Sequence, residues 1–370
     1  MDEAYRSAAT LAALIRDRQV SAVEVARAAL DRAKRSQPVL NAFITICEEQ
    51  AMAAAREAER AVASGAPLGP LHGVPFSVKD LVPTAGVRTT FGSLIFNDHI
   101  PARDAVAVGR LKRAGAVLIG KTTTPEFGQQ SLTEAPLFGR TRNAWSAERT
   151  SGGSSGGAAV AIAAGLGPIA VATDGGGSTR IPAACNGVVG FKQSIGLVPQ
   201  DYAQDGFGNI SYITPMTRTV LDTALMLQVM AGPDPADPLT VSRPPPDFVA
   251  AVQEEGDLKG IRIAWRARLG NLAVAADVLT ACETAMNAFA SLGAAVAEHG
   301  GAFENPERLW YVINSAYRRA QYGERVRDHR AAMCPTFLRQ FDSSESYSAA
   351  DLYAAIFART RLFRQVQSWF

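Results

Sequence analysis

The N-terminal part of the chain has the hydrophobic spacing of helices. Apolar residues recur every three or four positions across residues 7–35, and Gln19 and Ser21 divide this stretch in two. Serine is a preferred N-cap, so we expect a second helix to begin directly after Ser21. Residues 48–63 are rich in Ala, Glu and Arg and also favour a helix. This pattern predicts three helices in the region.

The middle of the chain alternates short apolar runs with helical segments. Residues 73–79 and 116–119 indicate buried strands, and residues 105–113 between them indicate a helix. A helix of small residues at 156–164 is followed by an apolar strand at 169–173. Strands that alternate with helices are typical of a sheet covered by helices. We therefore predict the α/β class, with a single α/β/α domain that has a central mixed sheet.

A turn-rich segment around residues 232–246 interrupts this alternation. A second strand–helix–strand pattern follows it, with strands at 260–264 and 294–297 and a helix at 274–291. We interpret this region as an excursion within one domain. The expected domain spans residues 1–370, with N-terminal helices at 1–65, the core at 66–220, the strand–helix–strand region at 221–300 and a helical segment at 301–370.

Composition and charge exclude several classes of protein. The 370 residues include 37 Lys and Arg and 35 Asp and Glu, without the basic excess of a nucleic-acid binder. Hydrophobic residues make up 47%, enough for a folded core. The longest apolar run, residues 158–172, is too short to span a bilayer, and the N-terminus lacks the features of a signal peptide. We predict a cytoplasmic protein that binds neither nucleic acid nor membrane.

The four cysteines are far apart and form neither a CxxC motif nor a Cys/His cluster. This spacing fits a reducing compartment and predicts no structural metal site. A glycine-rich match at residues 115–122 has the letters of a P-loop. Its middle residues are apolar and predict a strand, and Pro125 disfavours the helix that a P-loop requires. We therefore predict no nucleotide site here.

Residues 152–156 match the G-x-S-x-G nucleophile elbow, with Ser154 at its centre. The segment before them is polar and irregular, whereas an elbow follows a buried strand. Such an enzyme also needs a histidine, which here would be His299 or His329. An α/β-hydrolase-like esterase that uses Ser154 therefore remains an alternative.

A third glycine-rich segment, residues 174–182, directly follows the strand predicted at 169–173. Its three glycines allow a tight bend that can direct several N–H groups into one space, as an oxyanion hole requires. Ser178 in this segment lies 24 residues after Ser154, which lies 75 residues after Lys79.

This order and spacing resembles the amidase signature family and its Lys/Ser/Ser triad. The resemblance extends over residues 71–216 and is carried by six segments: 73–80, 115–127, 141–143, 152–157, 174–182 and 187–192. It implies the amidase signature fold and an amidohydrolase that cleaves the C–N bond of linear carboxylic amides. The resemblance implies no cofactor and no metal, with a small-molecule amide as the partner.

The resemblance also implies roles for the triad residues. Ser178 is the nucleophile, and Ser154, after a cis peptide bond with Gly153, relays the nucleophile's proton to Lys79. A serine needs such activation, and a lysine can supply it where burial lowers its pKa enough to make it neutral. The acyl-enzyme that forms on Ser178 is then hydrolysed by water.

Other residues are assigned supporting roles by the resemblance. The oxyanion hole is formed by the N–H groups of Gly175, Gly176, Gly177 and Ser178. Three residues, Ser155, Asp174 and Arg180, support the triad, and an Asp174–Arg180 ion pair would join the two ends of the glycine turn. The substrate pocket is lined by Gly128, Gln129 and Gln130.

Other functions in the same family remain open. One is an amidotransferase A-type subunit that works with partner proteins, although Ile181 stands where that protein tends to carry Gln. Another is an inactive relative, since family members usually continue into an apolar strand where this chain stops, at residues 367–370. We therefore expect a C-terminally truncated fragment or a differently completed end. The sequence does not define the amide substrate, and a homodimer is the default expectation.

Overall fold

The computed structural model describes residues 3–240, 244–271 and 273–370. The chain divides into two units. The first comprises residues up to Gln253 together with Glu324–Arg339, and the second comprises Glu254–Gly323 together with Gln340–Phe370. All of the candidate site residues lie in the first unit. Within the described ranges, no helix combines the length and the apolar character needed to cross a bilayer.

The first unit is built on a mixed β-sheet. The strands of the first unit, among the described residues, are β1 (Phe43–Ile46), β2 (Pro75–Lys79), β3 (Val117–Thr122), β4 (Glu134–Ala135), β5 (Gly139–Arg140), β6 (Ile169–Asp174), β7 (Val189–Gly190) and β8 (Tyr212–Thr217). Six of them form one sheet in the order β1-β3-β2-β6-β8-β7, and β4 pairs with β5. Strand β2 is parallel to β3 and β6, whereas β1, β7 and β8 pair antiparallel with their neighbours. The predicted central mixed sheet is confirmed.

The strands predicted from apolar runs are β2, β3 and β6, at the centre of this sheet. Strand β8 was not predicted because it contains Pro215, a residue that usually excludes a sheet interior. Strand β1 is four residues long and lies between two helices, so its apolar residues merge with the helical pattern. A short apolar run cannot be assigned from periodicity alone.

Helices cover both faces of this sheet. Those of the first unit are α1 (Ala8–Arg16), α2 (Ala22–Leu40), α3 (Glu48–Ser64), α4 (Val106–Arg113), α5 (Gly156–Ala163), α6 (Arg180–Asn186), α7 (Val220–Met230) and α8 (Phe248–Gln253). The predicted N-cap of α2 is confirmed, because the Ser21 hydroxyl accepts hydrogen bonds from the backbone N–H groups of Val23 and Glu24. Helix α5 is formed by small residues and is almost entirely buried.

The side chains of β3 show why helices lie on both faces. Val117 and Ile119 belong to a buried cluster with residues of α2 and α3. Leu118, between them, belongs to a second cluster with residues of β2, α4 and α7. Successive side chains of a strand point to opposite faces, so an apolar strand without alternation requires cover on both sides.

The second unit contains a small sheet of its own. It is formed by β9 (Arg262–Trp265) and β10 (Ala295–Glu298), which are parallel and joined by α9 (Ala276–Ser291). The predicted strand–helix–strand region is therefore present, and its strands pair with each other. The remaining helices are α10 (Glu307–His329), α11 (Pro335–Ser343) and α12 (Ala349–Gln367). Parts of α10 and α11, within Glu324–Arg339, belong to the first unit.

Candidate active site

The candidate site lies at the carboxyl ends of two neighbouring parallel strands. Lys79 is the last residue of β2, and Thr173 is the residue before the end of β6. The register pairs Val78 of β2 with Val171 of β6, which brings the two strand ends together. Polar residues at the ends of otherwise apolar parallel strands are thus gathered at one edge of the sheet.

The Lys79 amine is fully buried among hydroxyl groups. Its Nζ lies 2.7 Å from Ser154 Oγ, 2.8 Å from Ser155 Oγ and 2.9 Å from Thr173 Oγ1. The structure thus brings together Lys79 and two of the serines singled out from the sequence. Thr173 was missed by the sequence analysis, and the available signal was a hydroxyl residue at the end of an apolar strand, directly before the glycine turn.

Ser154 lies in a tightly constrained turn before α5. The Gly153–Ser154 peptide bond is cis, at the place that the resemblance implies. A Cβ atom on Gly153 would lie 2.7 Å from the carbonyl carbon of Ser131, and one on Gly156 would lie 2.3 Å from Thr133 Oγ1. The glycines on either side of Ser154 and Ser155 therefore allow the backbone to approach neighbouring segments more closely than any side chain would permit.

The glycine turn after β6 is organised by the buried carboxylate of Asp174. This carboxylate accepts hydrogen bonds from the backbone N–H of Gly177 at 2.8 Å and of Thr179 at 3.1 Å. Arg180 donates to the same carboxylate through Nε at 3.0 Å and Nη2 at 2.8 Å, so the two residues form the expected ion pair. The N–H of Gly177, one of four predicted oxyanion donors, is thus directed at Asp174.

Ser178 follows this turn and is partly exposed, unlike Ser154 and Ser155, which are buried. Its carbonyl oxygen accepts a hydrogen bond of 3.1 Å from the backbone N–H of Ser155. This bond connects the glycine turn directly to the turn that carries Ser154. Because Ser178 is partly exposed, a ligand can approach it from solvent.

The pKa of Asp174 is lowered in the folded protein. Burial by itself raises this pKa, but the hydrogen bonds and charge of Arg180, with the N–H groups of Gly177 and Thr179, outweigh that effect. A carboxyl whose folded pKa lies below its unfolded value stabilises the fold at pH values above about 3.9, its ordinary pKa. That stabilisation is lost as the pH falls through the folded-state value.

We expect Arg180→Ala to lower the melting temperature at pH 7 by a few degrees, equivalent to about 1–2 kcal/mol. Because the Arg180 side chain is 55% exposed, solvent screening keeps the effect modest. The difference from wild type should shrink as the pH falls from 5 to 3, measured by circular dichroism. Arg149→Ala, at an exposed arginine outside the site, is the control. A deficit that stays constant down to pH 3 would contradict this role for the pair.

Two of the three predicted lining residues, Gly128 and Gln130, lie beside the turn that carries Ser154. A Cβ atom on Gly128 would lie 3.3 Å from Ser154 Oγ and 2.8 Å from Leu81 Cδ1, and Gly128 has a φ of +71°. A Cβ atom on Gly153 would lie 2.9 Å from the carbonyl oxygen of Gln130. Gln129 lies between these two residues in the chain. Residues 128–130 therefore form a wall against the turn that carries Ser154.

The P-loop match is part of the sheet, because its residues 117–122 are strand β3. Lys121 is fully buried and donates hydrogen bonds to the carbonyl of Val82 and to the hydroxyls of Thr84 and Thr89, the latter two at 2.9 Å. Burial lowers the pKa of Lys121 to about 8, although the charge of Asp80 opposes the shift. Lys121 therefore holds the segment that follows β2. The lysine of the P-loop match thus has a structural role that requires no bound phosphate.

The elbow alternative finds no support in the geometry around Ser154. The residues directly before Ser154 are not part of a strand, and the hydrogen bond of its side chain is to Lys79. Of the two candidate histidines, His299 contacts the ring of Trp369, and His329 is the exposed last residue of α10. Among the residues that the structure describes, no group of three His, Cys, Asp or Glu could hold a metal ion.

Two curated proteins and a family model are similar to this sequence. The family model named Amidase matches residues 24–363. An acylamidase of Rhodococcus erythropolis is 45% identical over 310 residues, which cover 84% of this chain and 65% of that protein. The A-type subunit of the glutamyl-tRNA(Gln) amidotransferase of Mycobacteroides abscessus is 42% identical over 295 residues, covering 79% of this chain and 60% of that protein. This chain thus spans less than two thirds of the length of these relatives.

The fold is also shared with a solved structure. The crystal structure of a bacterial aryl acylamidase of the amidase signature enzymes matches with a TM-score of 0.92 and 30% identity, over 98% of this chain and 77% of that chain. The family model and the relatives agree on the family, and the solved structure agrees with the mixed α/β fold. The chain therefore belongs to the amidase signature family.

Proposed function

We propose that this chain carries the machinery of an amidohydrolase that cleaves the C–N bond of a linear amide through an acyl-enzyme on Ser178. The observation that carries the proposal is the buried Lys79 amine, held by the hydroxyls of Ser154, Ser155 and Thr173. A buried amine among neutral hydroxyls favours the uncharged form of lysine, which can act as a base.

In the proposed first step, Ser178 attacks the amide carbonyl and passes its proton through Ser154 to Lys79. A neutral amine offers two N–H donors and one lone pair, so it can donate to two of these hydroxyls and accept from the third. Ser154 is the donor in this scheme, so that its oxygen can receive the proton of Ser178. Ser155 and Thr173 then accept hydrogen bonds from the amine and hold its position.

The remaining steps use the same groups in reverse. Lys79 returns the proton through Ser154 to the departing amine, and water then hydrolyses the acyl-enzyme with the relay acting again as base. We assign the oxyanion contacts to the N–H groups of Gly175, Gly176 and Ser178, because the N–H of Gly177 is directed at Asp174. Asp174 and Arg180 support this arrangement by holding the glycine turn.

A second candidate is an amidotransferase A-type subunit that works with partner proteins. The observation that favours it is the similarity to the A-type subunits of two glutamyl-tRNA(Gln) amidotransferases, at 41% and 42% identity. Both candidates need the same triad, so the distinction lies in the acceptor and the partners. A cytoplasmic location and a homodimer stay predictions.

The two candidates are separated by product analysis. We expect the purified chain, without ATP or tRNA, to release amine and free carboxylic acid from a panel of aliphatic amides and anilides. Mass spectrometry of the reaction mixture measures both products. Ser178→Ala should release none. Release that requires ATP, tRNA and added partner proteins would favour the amidotransferase. No release from a protein shown to be folded would contradict a catalytic role for this chain.

A further inference from the structure

A buried carboxylate outside the triad connects the wall of the site to two distant segments. Glu126 is 2% exposed and begins the 3-10 turn Glu126–Gly128. Its Oε1 accepts a hydrogen bond of 2.5 Å from the hydroxyl of Ser93, and its Oε2 accepts one of 2.6 Å from the backbone N–H of Cys334. Burial raises the pKa of this carboxyl, and the two hydrogen bonds oppose that shift.

The bond to Cys334 spans 208 residues of sequence and lies within the first unit. Cys334 directly precedes α11, so the carboxylate of Glu126 lies at the N-terminus of that helix. A negative charge there is favoured by the orientation of the helix N–H groups. Glu126 therefore anchors the start of α11 to the loop that leads to Gly128.

Aromatic contacts join the same three segments. The rings of Phe127 and Phe337 lie 5.0 Å apart at 65°, and the rings of Phe96 and Phe127 lie 6.2 Å apart at 90°. The backbone N–H of Phe127 donates to the carbonyl of Phe91 at 2.8 Å. Phe127 has a φ of +51°, a conformation that L-residues rarely adopt without support from their surroundings. The turn thus depends on contacts from outside itself.

The next residue after Phe127 is Gly128, whose neighbour is the Ser154 hydroxyl. We propose that Glu126 is a positioning residue that holds the wall formed by residues 128–130 against Ser154 and so sets which acyl groups the site accepts. The inference rests on the proposed function, since it takes this wall as part of the acyl-binding site. Glu126 itself contacts neither Ser154 nor Ser178 in any hydrogen bond of the described residues.

Two substitutions separate the hydrogen bonds of Glu126 from its charge. In Glu126→Gln the amide oxygen can accept from Cys334 and the amide nitrogen can donate to Ser93, so kcat/KM should stay within about twofold of wild type. Glu126→Leu leaves both partners unpaired, and the wall should shift. A misplacement of about 1 Å can cost about 100-fold in rate. We expect Glu126→Leu to lower kcat/KM by about tenfold to 100-fold, with the largest loss on long acyl chains.

The measurement is kcat and KM for anilides with acyl chains from acetyl to decanoyl. The ratio of kcat/KM between long and short acyl chains should differ from the wild-type ratio in Glu126→Leu and should equal it in Glu126→Gln. Asp222→Leu is the matched control, because Asp222 is also a buried carboxylate of the first unit and holds the backbone N–H of Ala9 in α1. It should lower the melting temperature and leave the ratio unchanged. A Glu126→Leu variant with a lower melting temperature and an unchanged ratio of kcat/KM between long and short chains would overturn the proposal.

Hydrogen exchange of the backbone amides gives a readout that does not depend on activity. Exchange at residues 127–131 should accelerate in Glu126→Leu and not in Asp222→Leu. If wild type releases no product, the proposed function fails on that result, and unchanged exchange at these residues separately overturns the positioning role. Should Glu126→Leu not fold, Ser93→Ala removes one of the two hydrogen bonds and should change exchange and chain preference in the same direction by a smaller factor. No change in either would count against the proposal.

Discussion

Replacing Lys79 with Met is expected to lower kcat/KM for amide hydrolysis by at least about 1,000-fold while the protein stays folded. Methionine has similar length and no polar group, so it fits the buried site without adding an unpaired charge. What it removes is the amine that contacts Ser154, Ser155 and Thr173. The hydroxyls can still bond to one another, which limits the loss of stability, whereas the proposed base is gone.

The measurement is the rate of amide hydrolysis together with the rate at which a fluorophosphonate labels the protein. Lys121→Met is the matched control, because Lys121 is also fully buried and lies on the neighbouring strand, where its amine holds Val82, Thr84 and Thr89. This control should lower the melting temperature and retain labelling. A Lys79→Met enzyme with wild-type activity would contradict the relay and would favour the elbow alternative with a histidine base.

Replacing the two serines separately should have different consequences. Ser178→Ala is expected to abolish both activity and fluorophosphonate labelling, since the attacking oxygen is gone. Ser154→Ala keeps that oxygen but breaks the path to Lys79, so we expect slow labelling of Ser178 and a loss of about 100-fold to 10,000-fold in kcat. The partial exposure of Ser178 and the burial of Ser154 agree with this division of roles.

Peptide mass spectrometry of the labelled protein identifies the modified residue. The label should be found on Ser178 in wild type and in Ser154→Ala, and on neither serine in Ser178→Ala. Ser194→Ala, at an exposed serine, should leave the labelling rate unchanged. A label on Ser154 in Ser178→Ala would show that Ser154 is itself a nucleophile. That result would contradict the proposal that Ser154 acts only as a proton relay.

Much of the central fold could be predicted because the relevant signals are local. The apolar runs at β2, β3 and β6 predict buried strands, and Ser21 predicts the start of α2. Strand β8 was not predicted because it contains Pro215, and proline has no backbone N–H to donate within a sheet. Only the pairing of β8 with β6 shows that this strand accommodates the proline. The separate pairing of β9 with β10 was likewise invisible in the pattern, since periodicity does not identify the neighbour of a strand.

For the site, the resemblance to the amidase signature family implied Lys79, Ser154 and Ser178, and the structure brings Lys79 and Ser154 within hydrogen-bond distance. The catalytic roles of the three residues stay predictions. The number of glycines in the turn did not reveal which N–H groups remain for a ligand. The structure directs the N–H of Gly177 at Asp174, since the carboxylate lies inside the bend and accepts the nearest donors. That outcome depends on three-dimensional geometry within a single short turn.

The sequence by itself determined the strands β2, β3 and β6 and the start of α2, because these signals come from near neighbours in the chain. Only the tertiary structure decided that Thr173 joins Ser154 and Ser155 around Lys79 and that Glu126 bonds to Cys334 across 208 residues. Such contacts arise when packing brings distant segments together, and each side chain must then satisfy whatever polar groups the fold places beside it.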